Sequence, residues 1–141
     1  RDALARFLSR GLGMLRTDVA LLDGPGGGVA EGLAQMEPGN VLVVSSMAPY
    51  TRTVVDAARV AAQAGVVVIA LTDTRASPLV PPARQAFFIP YESSFISNSM
   101  GAYVVFCECL LNLVARDLGD RALNAVRRRE GFISQLRIEM E

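Results

Sequence analysis

The chain predicts a parallel α/β domain in which helices cover both faces of one sheet. Two runs, Val41 to Val44 and Val66 to Leu71, are apolar at every position, which is the pattern of strands buried on both faces rather than on one. Around and between them apolar residues recur at helical spacing, and strands alternating with helices give βαβ units with right-handed crossovers. A length of 141 residues, 51% of them hydrophobic, suits one domain around one core.

Taken in order, Ala3, Leu4, Phe7, Leu8, Gly11, Leu12 and Leu15 place residues 1–16 on one amphipathic helix, without a visible N-cap. The apolar run Val19 to Leu22 reads as a short strand, ended by the turn Asp23-Gly24-Pro25-Gly26-Gly27-Gly28. A helix over 29–36 follows, and Pro38-Gly39-Asn40 breaks the chain before the strand at Val41, which ends on Ser45 and Ser46. Val54, Val55, Ala58, Ala61 and Ala62 continue helical spacing up to Gly65, a natural C-cap, and Val66 to Leu71 is the next strand. A polar, proline-containing loop over 72–82 leads to a strand over 86–89, closed by Pro90. Two long helices complete the chain. One, over 95–115, is apolar nearly all round, which implies burial on more than one side; the other, from Asp120 to the end, is amphipathic. Both are candidates for an oligomer contact.

Composition excludes several classes. Fourteen basic residues balance 14 acidic ones, so this segment lacks the surplus of cations that a phosphate backbone requires, and Arg127-Arg128-Arg129, followed by Glu130, reads as a solvated helix face. With no His in the chain and no CxxC, Cys107 and Cys109 support neither a metal site nor a disulfide. They read as two small buried core residues in a reducing, cytoplasmic setting. No apolar stretch reaches the roughly eighteen residues of a membrane span, and no signal-peptide core is present. The glycines at 24–28 lack both GxGxxG spacing and a Walker lysine, the sequence having no Lys at all, and they read as a mobile loop. No cofactor is indicated.

The richest segment is Ser45-Ser46-Met47-Ala48-Pro49-Tyr50-Thr51-Arg52-Thr53, which joins a covered strand to a helix. Parallel sheets bind ligands outside the C-terminal ends of their strands, where strand order reverses. Free amides and the positive end of the helix dipole make such a turn an anion site, to which the Ser46 and Thr51 hydroxyls add donors and Arg52 adds charge. On the residues alone a second reading stands equally, in which Thr51 or Thr53 caps the helix and Pro49 fixes its entry.

The spacing strand-Ser-x-x-x-x-Thr-helix, the sequence Val66 to Asp73 reading VVVIALTD, and Ile89-Pro90-Tyr91-Glu92-Ser93-Ser94-Phe95 together resemble the SIS (sugar isomerase) domain. Tyr50-Thr51-Arg52 ahead of a Val/Ala-rich helix brings the resemblance closest to the RpiR/MurR transcriptional regulators, over almost the whole chain. It implies a three-layer α/β/α sandwich with a parallel, flavodoxin-like sheet that senses a phosphorylated sugar, joined to an N-terminal helix-turn-helix domain. Ligand contacts then fall on Ser45, Ser46, Met47, Thr51, Arg52, Glu92 and Ser93. The family turn reads Ser-x-Ser-Gly-x-Thr, and with its Thr on Thr51, Ala48 and Pro49 stand where the second Ser and the Gly would be. One hydroxyl and one amide N–H are thereby lost. The family also begins with a strand and turn before its first helix, whereas this chain opens inside that helix. The expectation is an N-terminally truncated SIS domain over 1–141, with the first strand missing and the helix-turn-helix domain absent.

Three functions compete. The first is the effector-binding and dimerisation domain of a bacterial regulator, with a phosphosugar as ligand, DNA reached only through the missing domain, no membrane, and a homodimer or higher homo-oligomer as the assembly. The second is a degenerate module that only oligomerises. The third is an aldose-ketose phosphate isomerase using Glu92 as base, with Ser93 and Ser94 beside it as ligand contacts or helix caps. A single carboxylate without any His is thin equipment for acid/base work, so no catalytic residue is assigned.

Overall fold

Three strands, β1 (Val41–Ser45), β2 (Val67–Thr72) and β3 (Gln85–Phe88), form a wholly parallel sheet in the order β1-β2-β3. They belong to a computed structural model that describes residues 2–23, 28–94 and 97–138. The helices are α1 (Asp2–Leu15), α2 (Gly28–Ala34), α3 (Arg52–Gln63), α4 (Gly101–Leu118) and α5 (Asp120–Leu136). In the register Val43 faces Ile69 and Ser45 faces Leu71, while Thr72 faces Phe88. All three C-terminal strand ends therefore lie along one edge.

The alternation of side chains along each strand builds two cores from one sheet. Leu42, Val44, Val68 and Ala70 pack with Val55, Ala58 and Ala61 of α3, with Leu33 of α2 against the margin. On the opposite face Val43, Leu71, Phe87 and Ile89 meet Leu4 and Leu8 of α1 and Tyr103 and Cys107 of α4. This is the three-layer α/β/α arrangement, and it explains why β1 and β2 carry apolar residues without alternation. Gly65, at φ +82°, ends α3 in the left-handed region and lies against Pro38, so its lack of a Cβ serves both backbone and packing.

Several boundaries and exposures differ from the sequence reading. Val19 to Leu22 is irregular rather than a strand. A strand exists only with a ladder partner, and among the described residues none pairs with this segment; Leu22 is held instead by side-chain packing against Gly32 and the α3-side core. β1 correspondingly pairs with β2 alone, and Val41 at its start is 53% exposed. Strand order does not reverse among the described strands. The first long helix begins at Gly101, not near residue 95, and residues 91–94 and 97–100 ahead of it are irregular; Phe95 lies outside the described residues, as do Gly24 to Gly27 of the glycine-rich turn. Only Tyr103 and Cys107 of α4 are fully buried, whereas Val105, Glu108, Cys109 and Leu113 are exposed. The helix is covered by the sheet and its neighbouring helices along one stripe, so the expectation of burial all round, and of two buried thiols, is corrected.

Gly11 marks the tightest helix crossing. An added Cβ there would collide with the Leu111 side chain of α4, while Gly13, two residues on, has nothing within 4 Å. Gly11→Val is therefore expected to lower stability by about 1–3 kcal/mol through overpacking. Gly13→Ala is expected to raise it by about 0.5–1 kcal/mol through helix propensity. Urea denaturation of both variants checks the pair; equal effects would contradict the close α1–α4 approach.

Candidate functional site

The turn after β1 is fixed by the strand beside it. The Ser46 amide donates to the Leu71 carbonyl (3.2 Å), extending the ladder one residue past the strand, and the Thr72 hydroxyl donates to the Ser46 carbonyl at 2.7 Å. Ser46 and Thr72 are both buried, as is Ser77, whose hydroxyl lies 2.7 Å from that of Thr72 and accepts from the Leu79 amide. This is a small polar network inside an apolar frame with its members satisfied, the condition under which such networks stabilise.

Ser46 does not present its hydroxyl to solvent. It accepts from the Thr51 amide at 3.0 Å and so closes the turn on itself just ahead of α3. Thr51 occupies the N-cap position of α3, with extended dihedrals and no side-chain capping bond, and its carbonyl takes the Val54 and Val55 amides. The capping role belongs to the Ser46 side chain acting across the turn, not to the Thr51 or Thr53 hydroxyl. Met47 points into the core between the sheet and α4, with 4% exposure. Ser45 is half-buried at the strand end. Arg52 extends into water, its side chain 94% exposed, with Asp56 as partner at 3.6 Å.

A carboxylate that sequence reasoning missed organises the rest. Asp73 directly follows β2 and accepts from the Ala48 amide (3.0 Å), the Tyr50 hydroxyl (2.8 Å) and the Thr74 amide (2.9 Å), with the Thr72 hydroxyl at 3.1 Å. Burial alone pushes its carboxyl up, but the Ala48 amide and the Tyr50 hydroxyl, with its own amide and Thr72, outweigh it and hold the group below the ordinary carboxylate range. Tyr50 is shifted the other way, chiefly by burial and then by its bond to Asp73. The only sequence signal was position: an acidic residue at the C-terminal end of a buried parallel strand, on the edge where ligands bind. Pro49, joined to Ala48 by a cis peptide bond, offers no N–H.

The segment after β3 approaches the same edge. The Ile89 amide donates to the Thr72 carbonyl (2.8 Å) and the Ser99 amide to the Tyr91 carbonyl (2.9 Å), which anchor the stretch containing Glu92 and Ser93. Glu92, Ser93 and Ser94 are exposed on this segment. The first amide of α4 approaches the Ser99 hydroxyl at 3.3 Å. Ser45, Ser46, Met47 and Thr51 thus belong to the one turn that Asp73 holds through the Ala48 amide and the Tyr50 hydroxyl, while Glu92 and Ser93 follow β3, on the other side of β2 from that turn. Among the described residues no cluster of His, Cys, Asp or Glu is arranged to hold a metal ion, and no helix is long and apolar enough to cross a membrane.

A model of the SIS domain family matches residues 3–113. Among solved structures the chain is similar to the sugar isomerase domain of an RpiR transcription factor from Sphaerobacter thermophilus, with a TM-score of 0.85 at 29% identity over 92% of this chain and 72% of that one. It is also similar to the Vibrio vulnificus NanR protein complexed with ManNAc-6P, with a TM-score of 0.78 at 16% identity, covering 96% of this chain and 52% of that one. A hypothetical protein matches with a TM-score of 0.63 at 17% identity, over 87% of this chain and 70% of its own. At these identities the last two likenesses establish a shared fold. No curated protein matches by sequence.

The lowered Asp73 value has a testable sign. A carboxyl held below its unfolded value, about 3.9, contributes stability that is fully present above that value and is lost as pH falls through the folded one. Asp73→Ala is expected to cost about 1–2 kcal/mol at pH 7, since two donors of the turn lose their acceptor. The gap to wild type should narrow below about pH 4. Thermal melts between pH 7 and pH 3 measure this, and a gap independent of pH would show that the ionised carboxylate contributes nothing.

Proposed function

Because the chain belongs to the SIS domain family, we propose that it is the effector-binding and dimerisation domain of a bacterial transcription regulator that responds to a phosphorylated sugar. The observation that carries this reading is the position of the Ser45–Thr53 turn. It closes a covered parallel strand and opens a 12-residue helix at the C-terminal edge of the sheet, in a chain whose structural likeness to the sugar isomerase domain of an RpiR transcription factor spans nearly its whole length. The ManNAc-6P bound by the NanR protein supports the ligand class. In this reading Ser45, Ser46, Thr51 and Arg52 line the phosphate side of the site, Met47 shapes its floor, and Glu92 and Ser93 meet the sugar from the segment after β3. DNA contact belongs to a separate helix-turn-helix domain, and the setting is the cytoplasm.

Dimerisation falls to α4 and α5. Val105 and Leu113 on the outer side of α4, and Leu123, Phe132 and Leu136 on α5, are large apolar side chains, each between 46% and 67% exposed. Isolated exposed apolar residues are ordinary, but a concentration on two adjacent helices favours an interface.

Catalysis is disfavoured by the chemistry at the edge. Asp73 is committed to its donors, Glu92 stands in water, and the chain has no His to act as a second acid/base group. The reading with a specific observation in its favour is instead the module that only oligomerises. Three backbone donors that a phosphate would seek are already committed or absent: the Ala48 amide is bonded to Asp73, the Thr51 amide to the Ser46 hydroxyl, and Pro49 has none to give.

Titration calorimetry separates the two. Hexose 6-phosphates are expected to bind saturably where the free hexoses do not, and Ser46→Ala is expected to weaken them by about tenfold, because the Thr51 amide loses the acceptor that fixes the turn. A panel without any saturable heat, in a protein that sediments as a dimer, would favour oligomerisation alone. In the same dimer Phe132→Glu is expected to shift sedimentation toward the monomer; an unchanged profile would remove α5 from the interface.

A further inference from the structure

Tyr103, in the first turn of α4, is buried with 0% exposure, yet its hydroxyl has no hydrogen-bond partner among the described residues. Buried hydroxyls are almost always paired, because water otherwise has to be given up without replacement. The position of this one is informative. Its side chain belongs to the buried cluster that contains Met47 from the turn after β1, Leu71 from the end of β2, and Ile89 with Tyr91 from the segment after β3. Each of these lies at or next to the C-terminal edge, so the orphan phenol shares its cluster with the segments that form the candidate site. Burial first, and then the charge of Asp73 and the phenols of Tyr50 and Tyr91, push it up to about 12, which keeps it a neutral donor at every physiological pH.

Resting on the proposed function above, we propose that Tyr103 is a specificity residue for the sugar ring, and that it and Asp73 together receive one ligand hydroxyl. The chemistry selects that group. Tyr103 has a proton to donate, Asp73 can only accept, and a sugar hydroxyl is both acceptor and donor. The phenol donates to the hydroxyl oxygen, and the hydroxyl proton goes to Asp73 Oδ2, which accepts the Ala48 amide while the Tyr50, Thr72 and Thr74 donors gather on Oδ1. A phosphate fits poorly here, since it would set a second anion beside Asp73. The phosphate is therefore held on the Arg52 side, away from Asp73, and the ring is read over the sheet edge. Access to the phenol requires Met47 and Tyr91 to move aside, and an unbranched methionine adapts readily in this way. The turn whose amides are already committed can still serve a ligand, because recognition on this side uses a carboxylate and a phenol in place of backbone donors.

Tyr103→Phe tests the assignment, since it keeps the ring and removes only the oxygen. In the free protein it is expected to melt at the wild-type temperature or above; a clear fall would mean that the hydroxyl already has a partner, and would overturn the proposal. In calorimetry the variant is expected to bind hexose 6-phosphates about five- to tenfold more weakly than wild type, as loss of one neutral hydrogen bond predicts, with unchanged affinity for inorganic phosphate. Equal affinity of variant and wild type for the hexose phosphates would overturn this inference while leaving the proposed function intact. Failure of wild type itself to bind any hexose phosphate would overturn both. Cys107→Ala, in the same buried cluster and one turn further along α4, is expected to leave the binding unchanged and controls for general disturbance of the cluster; an equal loss there would count against a specific role for Tyr103.

Discussion

The hydroxyl of Thr72 meeting the carbonyl of Ser46 at 2.7 Å is the contact on which the functional edge depends. A strand can end in many ways, and the turn after β1 has an internal proline that has no amide to tie it to the sheet. By tying the first residue of that turn to the last residue of β2, inside a region closed to water, the pair fixes where the backbone leaves the sheet. Everything downstream follows from that exit point. The Thr51 amide comes within reach of the Ser46 hydroxyl, α3 starts where it can cover Leu42 and Val68, and the Ala48 amide is delivered to Asp73. Because Thr72 and Ser77 are themselves buried, the cost of breaking this contact is that of stranding several polar groups at once.

The same contact explains why the anion site inferred from the turn is not an open cradle. In a turn with Gly and a second Ser, backbone amides and hydroxyls would face outward. Here Pro49 removes one amide, Ala48 removes one hydroxyl, and Asp73 accepts the amide that remains between them. An in-chain carboxylate occupies ground that would otherwise attract an anion, and the character of the edge moves from donor-rich to mixed.

Much of the fold was legible because the signals were long and mutually consistent. The unbroken apolar runs at β1 and β2 can be satisfied only by two-sided burial, and the spacing in α1 and α3, with Gly65 after the latter, leaves little choice of element. The misreadings share one cause, which is that they concern what lies opposite. Val19 to Leu22 has strand composition but no neighbouring strand to bond, and Cys109 sits on the α4 face that nothing among the described residues covers. Within the site, Ser46 and Thr51 were legible from spacing, while the direction of their bonds was not. Asp73 was visible only as the acidic residue that closes the run from Val66, since its role arises from Ala48 and Tyr50, 25 and 23 positions earlier in sequence. Tyr103 gave no signal at all, an aromatic in an apolar helix being unremarkable until its hydroxyl is found alone.

The one-sided pairing of β1 bears on how the protein behaves at high concentration. Among the described residues β1 is bonded to β2 alone, which leaves a row of amides and carbonyls along its other edge, beginning at the exposed Val41. Such rows serve as templates for a strand from another molecule, and proteins commonly discourage this with lysine placed at the edge. This sequence contains no lysine anywhere. The seam thus offers a template for edge-to-edge growth, which bears on colloidal behaviour in concentrated solution.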